Sequence, residues 1–116
     1  MEPESHCAIV TGGESGIGRA CALALARASH PVSLTYYADA AAGAASVAAI
    51  EQAGGRAIAC RTDVADEAAV EALFVAAEEA FGPVRRLVNS AGLNMSGTPI
   101  AEMPLAQFDR VVRADL

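Results

Sequence analysis

The chain has 116 residues, the length of one domain with a single hydrophobic core. Apolar residues make up 53% of the sequence, but aromatic residues only 4%, and Trp is absent, which indicates a thin core of small side chains. The net charge of −6 disfavours nucleic-acid binding, because phosphate backbones are bound by clustered Lys and Arg. We therefore predict one acidic domain that spans residues 1–116.

The first half of the chain alternates short apolar runs with helical stretches. Residues 7–10 predict a buried strand, and residues 17–28 follow as a helix. The residues expected on one face of this helix are Ile17, Cys21, Leu25 and Ala28. Residues 32–36 predict a second strand, and residues 40–53 form an alanine-rich helix that ends at a pair of glycines.

The second half continues the same alternation. Residues 57–60 predict a third strand, and Asp66 is a favourable N-cap for an amphipathic helix that runs to Phe81. Residues 87–89 predict a short fourth strand, and Pro104 is well placed in the first turn of a further helix. Regular alternation of strands and helices predicts an α/β fold, a doubly wound parallel sheet with helices on both faces.

The cysteines and the N-terminus exclude several other classes of protein. Cys7, Cys21 and Cys60 are odd in number and lack metal-ligand spacing, so we interpret them as buried thiols and predict no metal site and no disulfide framework. Residues 1–6 are polar and acidic, unlike a signal peptide, and no apolar run reaches the roughly 18 residues of a membrane span. We expect a cytoplasmic protein with no membrane partner.

A glycine-rich loop, residues 11–18, joins the first predicted strand to the first predicted helix. In that context Gly12 permits a tight turn, Gly16 lets the backbone approach a pyrophosphate, and Gly18 lets the helix pack closely. The first N–H groups of the helix have no internal partner, and the positive end of the helix dipole faces the same place. The loop therefore predicts a pyrophosphate site.

Two other interpretations of the loop stay open. The glycines alone are also compatible with an ordinary turn between a strand and a helix. Residues 13–20 come close to the phosphate-binding loop of nucleotide triphosphatases, G-x-x-x-x-G-K-[ST]. However, Arg19 replaces the Lys, and Ala20 lacks the hydroxyl that would hold Mg²⁺, which makes this alternative weak.

Four segments together resemble the short-chain dehydrogenase/reductase family. Residues 11–18 are similar to its T-G-x-x-x-G-I-G signature, and Asp63-Val64 is similar to the pair after its third strand. Residues 89–92 read N-S-A-G where the family has N-N-A-G, and residues 108–116 are similar to its fourth helix. The four features have the family's order and spacing. The resemblance implies a Rossmann-like sheet, of which this chain supplies strands in the order 3-2-1-4.

The resemblance implies a dinucleotide cofactor and specific residues to bind it. The loop would hold the phosphates, Asp63 would accept from the adenine amino group beside Val64, and Asn89 would line the floor under the riboses. The full set of expected cofactor-binding residues is Gly12, Glu14, Ser15, Gly16, Ile17, Gly18, Tyr36, Asp63, Val64, Asn89, Ala91 and Gly92. Asp63 could instead be a turn residue. Asn89 could be a strand-end cap, alone or in addition to its cofactor role.

The sequence leaves the choice between NAD and NADP open. An NAD-selective site usually has a carboxylate at the end of the second strand, which accepts from the ribose 2′-hydroxyl. Tyr36 holds that position, and Ser15 and Tyr37 stand at the two places where an NADP site would have a basic residue. Glu14 would repel a 2′-phosphate, which favours NAD slightly, and Arg61 is the basic residue that could approach.

The family's proton donor is a Tyr in a Y-x-x-x-K motif, helped by a Ser on a preceding strand. Neither Tyr36 nor Tyr37 is followed by such a Lys, and the chain contains no Lys at all. Asp115 stands where the family has an Asn that holds a proton-relay water, so it is the one candidate catalytic residue. We expect these 116 residues to be inactive by themselves.

Two functional hypotheses follow from the resemblance. The first is an NAD(P)-dependent oxidoreductase that transfers hydride between the nicotinamide and an alcohol or carbonyl substrate, of which this is the N-terminal part. The second is a non-catalytic nucleotide-binding or subunit-interaction module. The family sheet continues beyond its fourth strand, so we expect that strand to be an exposed edge here and the protein to form homo-oligomers. The loop of residues 93–97 is expected to border the substrate pocket.

Overall fold

The computed structural model describes residues 6–92 and, beyond them, residues 105, 106, 109, 112 and 113. Seven elements follow one another along the chain: β1 Cys7–Thr11, α1 Gly16–Arg27, β2 Val32–Tyr36, α2 Ala40–Gln52, β3 Ala57–Arg61, α3 Glu67–Phe81 and β4 Val84–Asn89. The five described residues beyond 92 are helical, in agreement with the helix predicted there. The 93–97 loop and Pro104 lie outside the described residues.

The four strands form one parallel sheet in the order β3-β2-β1-β4. Val10 in β1 is paired with Leu34 on one side and with Val88 on the other, and Tyr36 at the end of β2 is paired with Arg61 in β3. The predicted doubly wound α/β fold is confirmed. Parallel pairing brings the carboxyl ends of all four strands to the same edge of the sheet.

Each face of the sheet has its own hydrophobic cluster. On one face, Val10 and Leu34 pack with residues of α1 and with Ile50 of α2. On the other face, Cys7 and Ile9 pack against Leu73 and Ala77 of α3. Helices therefore cover both faces, as right-handed crossovers between parallel strands require.

The buried face of α1 differs from the predicted one. The expected stripe began at Ile17, but that side chain is 77% exposed, and the buried residues are Gly18, Ala22 and Ala26. The stripe is displaced by about one position because the smallest side chains face the sheet and let the helix approach closely. Cys21 and Leu25 lie half-buried at the margin of that contact.

Side-chain caps and glycines set the helix ends. The Asp39 carboxylate accepts from the backbone N–H of Ala42 at 2.9 Å and starts α2. Asp66, the predicted N-cap of α3, accepts from the N–H groups of Ala68 and Ala69. Gly82 ends α3 with a φ of +87°, a backbone conformation that glycine adopts readily.

Strand β4 is longer than the predicted 87–89, because Val84, Arg85 and Arg86 extend it at its N-terminal end. The apolar pattern missed these residues since the two arginines are exposed and carry no strand signal. Within the described part of the chain, β4 has a paired strand on one side only, and its Leu87 is 50% exposed. This strand is thus the expected exposed edge.

The three cysteines are free thiols. Cys7 is fully buried, and burial raises the pKa of its thiol, whereas Cys21 and Cys60 are only half-buried. No described helix has the length and apolar character needed to cross a membrane. Among the same described residues, no group of three or more His, Cys, Asp or Glu is arranged to hold a metal ion.

Candidate functional site

The glycine-rich loop is anchored to β2 by a buried threonine. The backbone N–H of Gly12 donates to the Thr35 hydroxyl at 3.0 Å, and the N–H of Gly13 donates to the Thr35 carbonyl at 3.1 Å. Gly12 has a φ of +67°, so the chain turns sharply at the end of β1, as predicted. The loop is therefore held against the carboxyl end of the neighbouring strand before α1 begins.

The first turn of α1 packs on the loop itself. A Cβ at Gly18 would collide with the carbonyl oxygen of Gly12, so any side chain there would force the loop to move. Gly16 is different: its φ is +57°, and a Cβ there would meet nothing within 4 Å. Gly18 is needed for packing, and Gly16 leaves open space in front of the N-terminus of α1.

The end of β4 folds over the same loop. The Thr11 hydroxyl accepts from the backbone N–H groups of Ser90 and Ala91, each at 3.1 Å. A Cβ at Gly12 would lie 2.8 Å from the backbone of Ala91, so the two segments approach as closely as only glycine allows. Three segments that are distant in sequence are thereby brought to one place at the carboxyl edge of the sheet.

A cavity of about 500 Å³ opens at this edge. Its lining residues are Gly12, Glu14, Thr35, Tyr36, Tyr37, Thr62, Asp63, Val64, Ala65, Asp66, Glu67, Ala91, Gly92 and Arg113. The volume falls in the range of small-molecule sites, and the position outside the carboxyl ends of parallel strands is where such sheets bind ligands.

Seven of the twelve expected cofactor-binding residues line this cavity: Gly12, Glu14, Tyr36, Asp63, Val64, Ala91 and Gly92. The other five do not. Ser15, Gly16 and Ile17 are exposed at the start of α1, Gly18 is buried beneath the loop, and Asn89 is exposed at the end of β4. Asp115, the candidate catalytic residue, lies outside the described residues.

Asp63 has a structural task as well as a place in the cavity. Its Oδ1 accepts from the backbone N–H of Ala65 at 2.9 Å, and its carbonyl accepts from the N–H of Asp66. These two bonds form the turn between β3 and α3, so the alternative of a turn residue is correct in part. A carboxylate has several lone pairs, and this one retains capacity for a ligand donor.

Carboxylates and an arginine meet around the end of β2. Burial raises the pKa of Glu14 above its ordinary 4.5, and the negative charge of Asp39 adds to that rise. Across the same strand end, the guanidinium of Arg61 lies 5.3 Å from the centroid of the Tyr37 ring. The cavity therefore has an acidic side near the glycine loop, and Tyr37, which lines it, also contacts the guanidinium of Arg61, which is not a lining residue.

Several lining residues were not predicted. Thr35 precedes Tyr36, and its place near the end of the strand next to β1 is the signal that could have found it. Tyr37 was noted only as a position without the basic residue of an NADP site, and it lines the cavity too. Glu67 lies in the first turn of α3, whose beginning was predicted. The sequence around Arg113 does not indicate that this residue lines the cavity, because its position there depends on how its helix packs on the rest of the fold.

Comparison with known proteins agrees with this geometry. The short-chain dehydrogenase family model matches residues 6–116. A doubly wound sheet with a glycine loop at its carboxyl edge defines a dinucleotide-binding class of fold, Rossmann-like, and members of this family bind NAD or NADP. The chain belongs to the short-chain dehydrogenase/reductase family of oxidoreductases.

Individual relatives are dehydrogenases and reductases. The chain is 43% identical over 110 residues to cis-4-hydroxycyclohexanecarboxylate dehydrogenase of Sinomonas cyclohexanicum, covering 94% of this chain and 43% of that protein. It is 36% identical over 109 residues to levodione reductase of Leifsonia aquatica, covering 93% and 41%. A crystal structure of a dehydrogenase/reductase from Sinorhizobium meliloti superposes with a TM-score of 0.91 at 43% identity, covering 98% and 45%. The chain thus spans less than half the length of these relatives.

Proposed function

We propose that this chain is the dinucleotide-binding part of an NAD(P)-dependent oxidoreductase that interconverts an alcohol and a carbonyl compound. The observation that carries the proposal is the cavity at the carboxyl edge of the sheet, bounded by the glycine loop and the turn after β4. When bound, the nicotinamide cofactor supplies or accepts the hydride. The relatives named for a hydroxy acid and a dione support an alcohol or carbonyl substrate.

The segments in and beside the cavity have proposed roles toward the cofactor. The open space at Gly16, in front of the first N–H groups of α1, suits the pyrophosphate. The Asp63 carboxylate, at the β3–α3 turn, suits the adenine amino group, with Val64 beside the ring. Ala91 and Gly92 line the cavity with no large side chain, which suits the riboses. Ser15, Ile17 and Asn89 would contact the cofactor only where it extends past the cavity.

The acidic side of the cavity favours NAD over NADP. Glu14 and Asp39 are close enough for their charges to interact, and a 2′-phosphate beside them would be repelled. The residue at the end of β2 is Tyr36 and not a carboxylate that could accept from the ribose 2′-hydroxyl. We propose that the Glu14 carboxylate accepts from this hydroxyl instead.

We further propose that the chain binds the cofactor but does not complete the reaction by itself. Tyr36 and Tyr37 line the cavity at the end of β2, where we propose that the adenosine binds, and the sequence has no Lys to lower the pKa of a tyrosine hydroxyl. Asp115 remains a candidate for holding a proton-relay water. A pure binding or subunit-interaction module is the alternative, and it predicts no nicotinamide reduction even when the protein is joined to the segments that its relatives possess.

Dinucleotide binding can be tested by calorimetric titration of the protein with NAD and with ADP. Both should bind, since the proposed contacts are to the ADP half of the cofactor. Gly16→Ala should weaken both at least about tenfold, because a methyl group would occupy the space left for the pyrophosphate.

Gly54→Ala is the matched control for that substitution. Gly54 also has a positive φ, +87°, and open space around its missing Cβ, but it lies after α2, away from the cavity. Both variants carry similar backbone strain, so only a contact with ligand separates them. Equal affinity in the two variants would refute the loop assignment.

A further inference from the structure

One of the two hydrogen bonds that hold the glycine loop on β2 depends on a side chain. The backbone N–H of Gly13 donates to the carbonyl of Thr35, and any residue at position 35 could accept that bond. The backbone N–H of Gly12 donates at 3.0 Å to the Thr35 hydroxyl, so this bond needs a side-chain oxygen close to the strand backbone. The identity of residue 35 therefore decides whether the N–H of Gly12 is paired.

The surroundings of Thr35 keep this bond in one geometry. Thr35 is among the lining residues of the cavity, yet only 1% of its surface is exposed, so water competes little for the hydroxyl. Its branched Cβ restricts rotation of the side chain, which keeps the hydroxyl directed at the loop. The hydroxyl is thus a fixed acceptor for Gly12.

Gly12 is also the residue through which the loop contacts the start of α1 and the turn after β4. A Cβ at Gly12 would lie 2.8 Å from the backbone of Ala91, and a Cβ at Gly18 would collide with the carbonyl oxygen of Gly12. The φ of Gly12 is +67°, one of several conformations open to glycine. Because the contacts are so close, a change of conformation at Gly12 would displace the first turn of α1.

The first turn of α1 is where we propose that the pyrophosphate binds. The N–H of Arg19 donates to the carbonyl of Ser15 at 3.2 Å, and the helical N–H groups before Arg19 have no partner inside the helix. Those groups can donate to an anion. Donors that are already ordered bind more tightly than donors that a ligand must first order.

We propose that the Thr35 hydroxyl is a positioning group for the pyrophosphate of the bound dinucleotide, acting through the N–H of Gly12. The inference rests on the proposed dinucleotide site and adds to it a residue of β2 that prepares the loop before the ligand arrives. Without the hydroxyl, the N–H of Gly12 is unpaired and the loop is free to adopt other conformations. A ligand with phosphates then has to order the loop, whereas adenosine, which has no phosphate, does not.

The test compares ADP with adenosine, each titrated into isotope-labelled protein and followed by NMR. Thr35→Val keeps the branched shape and removes the acceptor. Its affinity for ADP should fall about tenfold, the effect of one lost hydrogen bond, while its affinity for adenosine stays the same. Thr35→Ser retains a hydroxyl and should restore the affinity for ADP. Thr35→Ala, a second variant without the hydroxyl, should show the same selective loss as Thr35→Val.

Ser33→Ala is the matched control. Ser33 is as deeply buried as Thr35 and lies in the same strand, but its hydroxyl makes no hydrogen bond to the glycine loop. The ratio of its affinities for ADP and adenosine should equal that of the unmodified protein. A loss of ADP affinity in Ser33→Ala as large as that in Thr35→Val would show that any buried hydroxyl of β2 has this effect, and the proposal would be wrong.

Hydrogen exchange of the Gly12 amide tests the bond itself, even where a variant fails to fold. In the unmodified protein without ligand this amide should be protected from exchange, and Thr35→Val should accelerate its exchange about tenfold, again the effect of one hydrogen bond. An unprotected Gly12 amide in the unmodified protein would overturn the proposal.

The two proposals fail in different ways. If ADP binds the unmodified protein and Thr35→Val equally well, or if Thr35→Val weakens ADP and adenosine by the same factor, the role of Thr35 is refuted and the dinucleotide site stands. If neither ADP nor adenosine binds the unmodified protein, the proposed function itself fails, and the inference fails with it.

Discussion

The glycines of this chain are needed for different physical reasons, and the difference can be measured. Gly18 faces backbone, because its missing Cβ would collide with the Gly12 carbonyl oxygen. Gly43 faces a side chain, since its missing Cβ would lie 2.7 Å from a ring carbon of Tyr36. Backbone in a tight loop can move only if the loop is rebuilt, whereas an aromatic ring at the protein surface can rotate aside.

Gly18→Ala should therefore lower the free energy of unfolding by about 2 kcal/mol, a typical cost of overpacking. Gly43→Ala should change it by less than about 1 kcal/mol, because the higher helix propensity of Ala offsets the displaced ring. Urea unfolding followed by circular dichroism measures both values. A cost for Gly43→Ala as large as that for Gly18→Ala would show that the Tyr36 ring is fixed.

Local residue patterns predicted part of the candidate site and missed the rest. Glycine spacing and the Asp63-Val64 pair indicated residues that do line the cavity, because they are adjacent to strand ends in the sequence itself. The hydrogen bond of Gly12 to the Thr35 hydroxyl and the contact of Arg61 with Tyr37 join residues at the ends of neighbouring strands. Such contacts depend on strand order and register, which no single segment of the sequence contains.

At the scale of elements, periodicity identified the helices and strands better than it identified their faces. The stripe on α1 was assigned to larger side chains, yet the helix buries Ala22 and Ala26 and exposes Ile17. Hydrophobic size is a poor guide where close approach to a sheet favours the smallest residues. The N-terminal half of β4 was missed because Arg85 and Arg86 hide its strand character.

Within the described residues, strand β4 is paired on one side only, and this bears on self-association. Leu87 is 50% exposed there, and an edge strand with an apolar residue can pair with a second molecule. Leu87→Lys should shift the protein toward monomer in sedimentation equilibrium, because charge on an edge opposes strand pairing. Val75→Lys is the control, since Val75 is 55% exposed on helix α3 and presents no strand edge. An equal effect of both variants would indicate general solubility instead of edge pairing.

At the scale of the whole molecule, the charges bear on stability as well as on ligand choice. The chain carries a net charge of −6, and Glu14 stands where burial and Asp39 both disfavour its ionised form. The pKa of Glu14 is therefore higher in the folded protein than its ordinary 4.5. The folded state binds this proton more tightly than the unfolded state does, so ionisation of Glu14 opposes folding.

The sign of the resulting pH dependence follows from that difference in proton binding. Well below pH 4.5 Glu14 is protonated in both states, and as pH rises through 4.5 and then through its higher folded pKa the folded protein loses stability. Glu14→Gln removes this loss, so its advantage in the free energy of unfolding should grow across that interval and stay constant above it. Urea titrations from about pH 4 to about pH 8 follow the difference.

Glu51→Gln removes one negative charge from an exposed position of α2 and controls for net charge. The free energy of unfolding of Glu14→Gln could instead differ from that of the unmodified protein by the same amount at every pH. In that case Glu14 is not the group whose ionisation opposes folding, and its assignment to the acidic side of the cavity loses support.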